Sequence, residues 1–430
     1  MEQTKKNQWI DRIFFVGLLL AASAVTLLLF HRQTLESSES YHSDMEAYIE
    51  EILGLNEKYS YPYPIFFKIA RWIHLFAAPE LSVALATMLL NSLAMVSIKY
   101  FFNKILLKNL QDGLPKCKWL AGVLISLVSM SLFFISMLYP PKGIYLPGIL
   151  YNYLGVFTAN PFHNATYMAA RPFAAVTFFL FAKLLGCYEQ GYGGKWKNPQ
   201  TGVAMKDYVL FSLFLLLATM TKPSFTLVMV ATAGFIMLYR LFRSKCRNIV
   251  PTIQLGVCFV PTFIDLLYQY RGVFVPQEGE EGGVGFCFGE VWRMYCSNIP
   301  LAVALAIGFP ILVFVCHIGQ MKELWKKNSI YRFSWQIYLM GFLTAFFLYE
   351  KGFRKQDFNF SWGYMYGIFF GFVGALLLLL KDTADVAAAP KNSRVLKAKL
   401  LLGAQWTAYL WHLACGLYYF KDLMQGKMYY

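Results

Sequence analysis

Charge is scarce in this chain. Of 430 residues only 15% are Asp, Glu, Lys or Arg, while 57% are hydrophobic. A water-soluble fold of this length has too little interior for so much apolar side chain, so an ordinary soluble enzyme or binding module is excluded. Acids are scarcer than bases, 24 against 39, which leaves a net charge of +15. In a soluble chain that excess would suggest nucleic acid. In a membrane chain the placement of each base matters more than the sum, and no nucleic-acid partner is expected. The eight cysteines and six histidines form no CxxC pair and no zinc-ligand spacing. No internal repeat is visible, which counts mildly against a transporter built from duplicated halves. No stretch is polar and long enough for a soluble domain, so residues 1–430 read as a single membrane domain.

What is abundant is long apolar runs. A bilayer core of roughly 30 Å takes about 20 apolar residues per helix. Windows of that kind fall at 13–30, 81–98, 119–138, 172–187, 207–220, 224–241, 249–268, 299–316, 335–350, 363–380 and 400–419. They predict an all-α polytopic membrane protein with about eleven transmembrane helices. The intervening segments sort by charge. One set carries Lys99 to Lys118, Lys195 to Lys206, Arg243 to Arg247, Lys322 to Arg332 and Lys391 to Lys399; the alternate set holds Glu36, Glu39, Asp44, Glu46, Glu50, Glu51, Glu57, Glu278, Glu280 and Glu281. By the positive-inside rule the basic set, with Lys5 and Lys6, is cytoplasmic, so the chain is a multi-pass cell-membrane protein with its N-terminus in the cytoplasm. The first apolar stretch lacks a convincing small-x-small cleavage site and reads as a retained anchor.

Four outer segments are large or polar enough to matter: 31–80, 139–171, 270–298 and 350–362. In the first, Ser43-Asp44-Met45-Glu46 fits a capping box with Ser43 as N-cap. Met45, Tyr48, Ile49, Ile52 and Leu53 then follow one helical face. Tyr61-Pro62-Tyr63-Pro64 breaks the chain, and a second amphipathic stretch follows with Ile65, Phe66, Ile69, Trp72, Ile73 and Phe76 against Lys68 and Arg71. Two short helices along the outer membrane surface are expected. Residues 208–241 are too long for one span and are broken by Thr221-Lys222-Pro223-Ser224, which reads as a hairpin tip with Lys222 near the outer surface.

Chemistry-bearing residues collect in these outer segments. Tyr41-His42-Ser43-Asp44-Met45-Glu46 offers a carboxylate at the lipid–water boundary, where Asp44 or Glu46, assisted by His42, suits a general base. Acids in a first helical turn also complement the helix dipole, which explains them without chemistry. Asn160-Pro161-Phe162-His163-Asn164-Ala165-Thr166, leading to Arg171, packs amides, a histidine and a guanidinium at the mouth of a span; knitting the outer surface together explains it equally well. Asn164-Ala165-Thr166 also matches a glycosylation sequon. Lys222 at its hairpin tip either snorkels or meets an anion. Glu350, Arg354, Asn359 and Trp362 form a polar and aromatic run in which Arg354 can grip phosphate bidentately and Trp362, with Tyr364, can face a sugar or sit in an aromatic belt. Asp265 is an intramembrane acid that must be paired or functional. Cys287 and Cys296 share one outer loop and can pair in an oxidising compartment. The few carboxylates make a poor Mg²⁺ or Mn²⁺ site, so no obligatory metal and no cofactor is expected.

In its first span, acidic first outer loop, two surface helices and many later spans, this pattern resembles the GT-C superfamily of integral membrane glycosyltransferases. The strings around Asn160 to Phe173, Thr221 to Ser224 and Glu350 to Gly363 look like those of uncharacterised bacterial members. The first loop lacks an adjacent Asp-Asp or Asp-x-Asp, and no soluble C-terminal domain follows. The resemblance implies inverting, base-assisted transfer of a sugar from a polyprenyl-phosphate donor to a glycan or lipid acceptor on the outer face. Asp44, Glu46 and His42 would be catalytic. Asn160, His163, Asn164, Arg171, Lys222, Glu350, Arg354, Asn359 and Trp362 would bind phosphate and substrate. Three other readings stay open: a transporter or flippase of lipid-linked saccharides, a polysaccharide polymerase, and an O-acyltransferase centred on His412.

Overall fold

The structure, a computed structural model, describes residues 2–36, 41, 43–56, 61–138, 157–192, 203–273, 282–390 and 393–427. The protein is an all-α polytopic membrane protein. Each of the eleven apolar windows falls on a helix or on a helix pair bent at a break. Among the described residues five helices are long and apolar enough to cross a membrane (Asn7–Leu35, Pro79–Gly113, Ala165–Tyr188, Ser224–Arg243 and Arg354–Ala388), and two bent pairs raise the number to seven. Helices Met205–Thr221, at 17 residues, and Lys118–Ser131, at 14, are shorter. The seven fall short of the roughly eleven expected because these two helices are short, and helices Ser329–Phe347 and Ser393–Met424 are long enough but less apolar. Ile299–Ala306 and Gly308–Cys316 bend by 76° at Ile307, and Ile249–Val257 and Val260–Val273 by 50° at Cys258-Phe259.

Helix Ser361–Ala388 is apolar around its whole circumference, and such a helix must be surrounded. It is: its most apolar window is entirely buried, against 22% for the first helix. Small residues allow its closest neighbour in. A methyl group on Gly341 of helix Ser329–Phe347 would lie 2.9 Å from the Gly363 carbonyl, and one on Gly367 would lie 2.9 Å from the Tyr338 Cα. Backbones at that separation gain dispersion contacts that lipid tails cannot supply. Around this core Leu20, Phe235, Leu238, Ile264 and Leu267 stay more than half exposed, as residues facing lipid do.

Breaks in the helices are closed by side chains. His412 donates from Nδ1 to the Ser136 carbonyl at 2.7 Å and accepts at Nε2 from the Phe309 amide at 3.2 Å. Both nitrogens are therefore committed to backbone groups left free at two breaks, which removes the acyltransferase reading of this residue. The two short helices of the first outer segment are present as Met45–Leu53 and Pro64–His74, packed on helix Pro79–Gly113. Met45, Tyr48 and Ile52 are buried, whereas Leu53 is exposed. The second helix buries Phe66, Phe67 and Ala70 and leaves Trp72, Leu75 and Phe76 exposed. Strand Val284–Phe286 pairs antiparallel with Leu348–Glu350, Val284 opposite Glu350, and so ties the segment before helix Glu290–Tyr295 to the one that carries Glu350. Cys287 and Cys296 are both buried, and no disulfide joins them.

Candidate functional site

Pro223 organises the site. It ends helix Met205–Thr221, and the residue before it is pushed out of helical geometry by the proline ring. Lys222 accordingly lies at φ −165°, ψ 122°, with only 7% of its surface exposed. Its ammonium donates to Thr166 Oγ1 at 3.1 Å and stands 4.9 Å above the Trp362 ring. The hairpin tip expected at this position is present, and its ammonium is buried against the Thr166 hydroxyl and an aromatic face. Burial lowers its pKa from 10.5 to about 8, with Asp44 and Glu350 opposing that fall and Arg354 adding to it.

Thr166 joins Lys222 to a second cluster. Asn164 caps helix Ala165–Tyr192, its Oδ1 accepting from the Tyr167 amide at 2.8 Å and from Thr166 Oγ1 at 3.0 Å. Its Nδ2 donates to Asp44 Oδ2 at 2.5 Å. Asp44, not Ser43, is the N-cap of helix Met45–Leu53, yet its carboxylate makes no capping bond. The Asp44 amide is held by the His163 carbonyl at 3.0 Å, which turns the side chain toward Asn164 and Tyr48. Asp44 and burial together raise the Tyr48 hydroxyl well above the usual phenol range, burial being the larger cause.

The third cluster comes from 350–362. Asn359 donates to Glu350 Oε2 at 2.8 Å and accepts from Trp362 Nε1 at 3.3 Å. Arg354 Nε lies 3.2 Å from Glu350 and 3.4 Å from Asp357. Burial raises the Glu350 carboxyl above its ordinary value, and Arg354 and Asn359 pull it back. The three clusters line one cavity of about 760 Å³. Asp44, His163, Asn164, Lys222, Glu350, Arg354, Asn359 and Trp362 all face it, so eight sequence-read residues from four segments are brought together. Deeper along the central helix, Tyr366 packs on Tyr167 at 4.3 Å and on Phe225 at 5.4 Å, and Phe178 stacks on Phe370 at 4.3 Å. Through Tyr167, 5.9 Å from the Trp362 ring, this aromatic tier continues from the cavity wall into the core.

Other expected residues lie elsewhere. Glu46 is exposed and off the cavity wall. Asn160 and Arg171 form an interior knot: Arg171 Nη1 donates to Asn160 Oδ1 at 2.5 Å, and Asn160 donates to the Leu132 and Ile135 carbonyls at 3.0 and 2.9 Å. The guanidinium packs over Phe133, Tyr167 and Phe369. A charge this deep needs such enclosure, and it is spent on joining two helices rather than on a ligand. Asn164 is buried, so its sequon is not displayed. His42 and the acids Glu39, Glu57, Glu278, Glu280 and Glu281 fall outside the described residues. Asp265 is paired, accepting from Gln269 Nε2 at 2.7 Å. Sequence reasoning missed Tyr61, Tyr63, Gln269 and Tyr295 on the wall. The Tyr61-Pro62-Tyr63-Pro64 run signals a break, and nothing in it signals that both rings turn inward.

Comparison with known proteins bears on what this cavity does. Residues 301–381 match the family MtN3_slv, described as sugar efflux transporter for intercellular exchange. No curated protein and no solved structure matches the chain. The matched stretch runs from the bent pair Ile299–Cys316 through helix Ser329–Phe347 into helix Ser361–Ala388, and it carries the Glu350–Trp362 wall. This corrects the expectation of a GT-C glycosyltransferase: the family evidence points to sugar transport and not to an enzyme, nor to transfer from a polyprenyl-phosphate donor. In the cavity the Asp44 carboxylate accepts from Asn164, and Glu46 lies off the wall.

Proposed function

We propose that the protein is a membrane transporter of saccharides and that the 760 Å³ cavity is its binding site. One observation carries the reading: the segment similar to a sugar transporter family supplies Glu350, Arg354, Asn359 and Trp362 to a cavity that also holds Asp44, Asn164, Lys222 and the rings of Tyr61, Tyr63 and Tyr295. Carboxylates and amides accept and donate in pairs to vicinal hydroxyls, a buried lysine adds a strong donor, and Trp362, Tyr61, Tyr63 and Tyr295 offer apolar faces to a pyranose ring. By the positive-inside rule the basic stretches Lys99 to Lys118, Arg243 to Arg247 and Lys322 to Arg332 support a cytoplasmic N-terminus and a cavity that opens outward.

A second observation favours a cargo carried on lipid. Leu227, Phe263, Leu267 and Tyr270 line the cavity yet are 43%, 46%, 66% and 52% exposed, so one wall faces the bilayer. A saccharide head among the polar groups and a hydrocarbon tail along helix Val260–Val273 fit that division. The test is flux in proteoliposomes of a panel of hexoses, N-acetylhexosamines and their octyl glycosides. Saturable movement of at least one compound, lost in Trp362→Ala, is expected; no binding and no movement of any would overturn the reading.

A further inference from the structure

Pro223 has no amide hydrogen, so the Thr219 carbonyl four residues earlier has no helical donor. Gln269 supplies one: its Nε2 donates to Thr219 O at 3.0 Å and to Asp265 Oδ2 at 2.7 Å. With both acceptors on the nitrogen, the amide can be oriented in only one way. Its Oε1 is then left without a partner among the described residues, in a side chain 3% exposed that lines the cavity. A buried acceptor with no donor is destabilising, and an acid in a lipid-facing helix is costly as well.

We infer that Gln269 is a specificity-determining residue of this cavity, its Oε1 accepting a hydroxyl of the saccharide, with Asp265 as the positioning residue that fixes the amide. The inference rests on the transporter reading and deepens it by naming a hydroxyl-bearing contact on the helix that also faces lipid. Asp265 thereby has a reason to stand in an apolar span: with Thr219 it takes both protons of the Gln269 amide nitrogen and leaves the oxygen as the one uncommitted polar atom of this wall residue.

The experiment measures equilibrium binding to the full chain in nanodiscs. The tightest ligand from the panel above is compared with its monodeoxy analogues on wild type, Gln269→Met and Asp265→Leu, with Asp265→Asn as the conservative variant. Wild type should lose about fivefold or more for one deoxy position, the worth of a net hydrogen bond. Gln269→Met should bind parent and that analogue within about twofold of each other, Asp265→Leu should lose most of the discrimination, and Asp265→Asn should keep it. If Gln269 merely braced Thr219, the variants would weaken both ligands equally and keep the ratio, which overturns the assignment. Wild type binding no compound of the panel would overturn the transporter reading first and this assignment with it.

Discussion

Replacing Lys222 by Met should make the protein more stable and less able to hold sugar. The fall of the Lys222 pKa from 10.5 to about 8 corresponds, at about 1.4 kcal/mol per pH unit, to roughly 3 kcal/mol of cost for keeping the ammonium in place at neutral pH. Contact with the Trp362 face offsets about 1 kcal/mol of this. Methionine fills nearly the same volume without a charge, and Thr166 Oγ1 keeps Tyr48 and Asn164 as partners at 3.1 and 3.0 Å. The variant should gain about 1–2 kcal/mol at pH 7, read as a rise of a few degrees in the thermal midpoint of the purified protein. It should lose about tenfold in saccharide affinity, as a charge-assisted donor is worth about 1.5–3 kcal/mol.

The sign with pH follows from proton counting. Between about 8 and 10.5 the unfolded lysine holds a proton that the folded one has released, so wild-type stability rises with pH across that window. The advantage of Lys222→Met is therefore constant below pH 8 and shrinks as pH climbs toward 10.5. A variant less stable than wild type at pH 7, or an advantage that grew with pH, would refute the reasoning. Either result would mean that the ammonium reaches water, as a snorkelling lysine does.

Three further outcomes are expected. Asn164→Ala removes the cap on Tyr167 and the bond to Asp44, and should cost about 1 kcal/mol for each, read as a lowered thermal midpoint with weakened sugar binding. Gly367→Val puts atoms within 2.9 Å of the Tyr338 Cα and should destabilise by about 1–3 kcal/mol through separation of helices Ser329–Phe347 and Ser361–Ala388; unchanged stability would show that these helices do not need their close approach. His317 lies 3.0 Å from Asp382. Burial lowers its pKa, but Asp382 more than reverses this and the folded value lies above 6.5. The stability from this pair should be fully present below pH 6.5 and lost as pH rises through the folded value, and Asp382→Asn should flatten that part of a midpoint-against-pH curve.

How much of this was legible in the sequence depends on the scale at which each feature is decided. The helices were, because lipid demands uninterrupted apolar runs and every window found one. The membership of the polar cavity was legible in large part, because Asp44, Asn164, Lys222 and Trp362 are expensive at a membrane boundary unless used or paired. The bend at Ile307, the two inward tyrosines and the partner of Asp265 were not, since each is fixed by neighbours far along the chain. The kind of function was misread for a related reason: a carboxylate beside cations near lipid suits a base, a hydroxyl acceptor or a cap equally, and the residues of 301–381 that point to sugar transport carry no charge pattern that composition can rank.

Arg171 and Lys222 show where the limit lies. Both are cations immediately before a proline in a polar run, and both were read as ligands for an anion. Helix Ala165–Tyr192 continues through Pro172, so Arg171 stays on a helical face that turns inward, and its guanidinium is consumed by Asn160. Helix Met205–Thr221 stops before Pro223, and Lys222 takes an extended backbone that aims its chain at the cavity. Pre-proline sterics act on both residues. What separates them is whether tertiary packing offsets the local penalty: around Arg171 three aromatic rings and an amide do so. At Lys222 the chain yields, and a cation is delivered to the site.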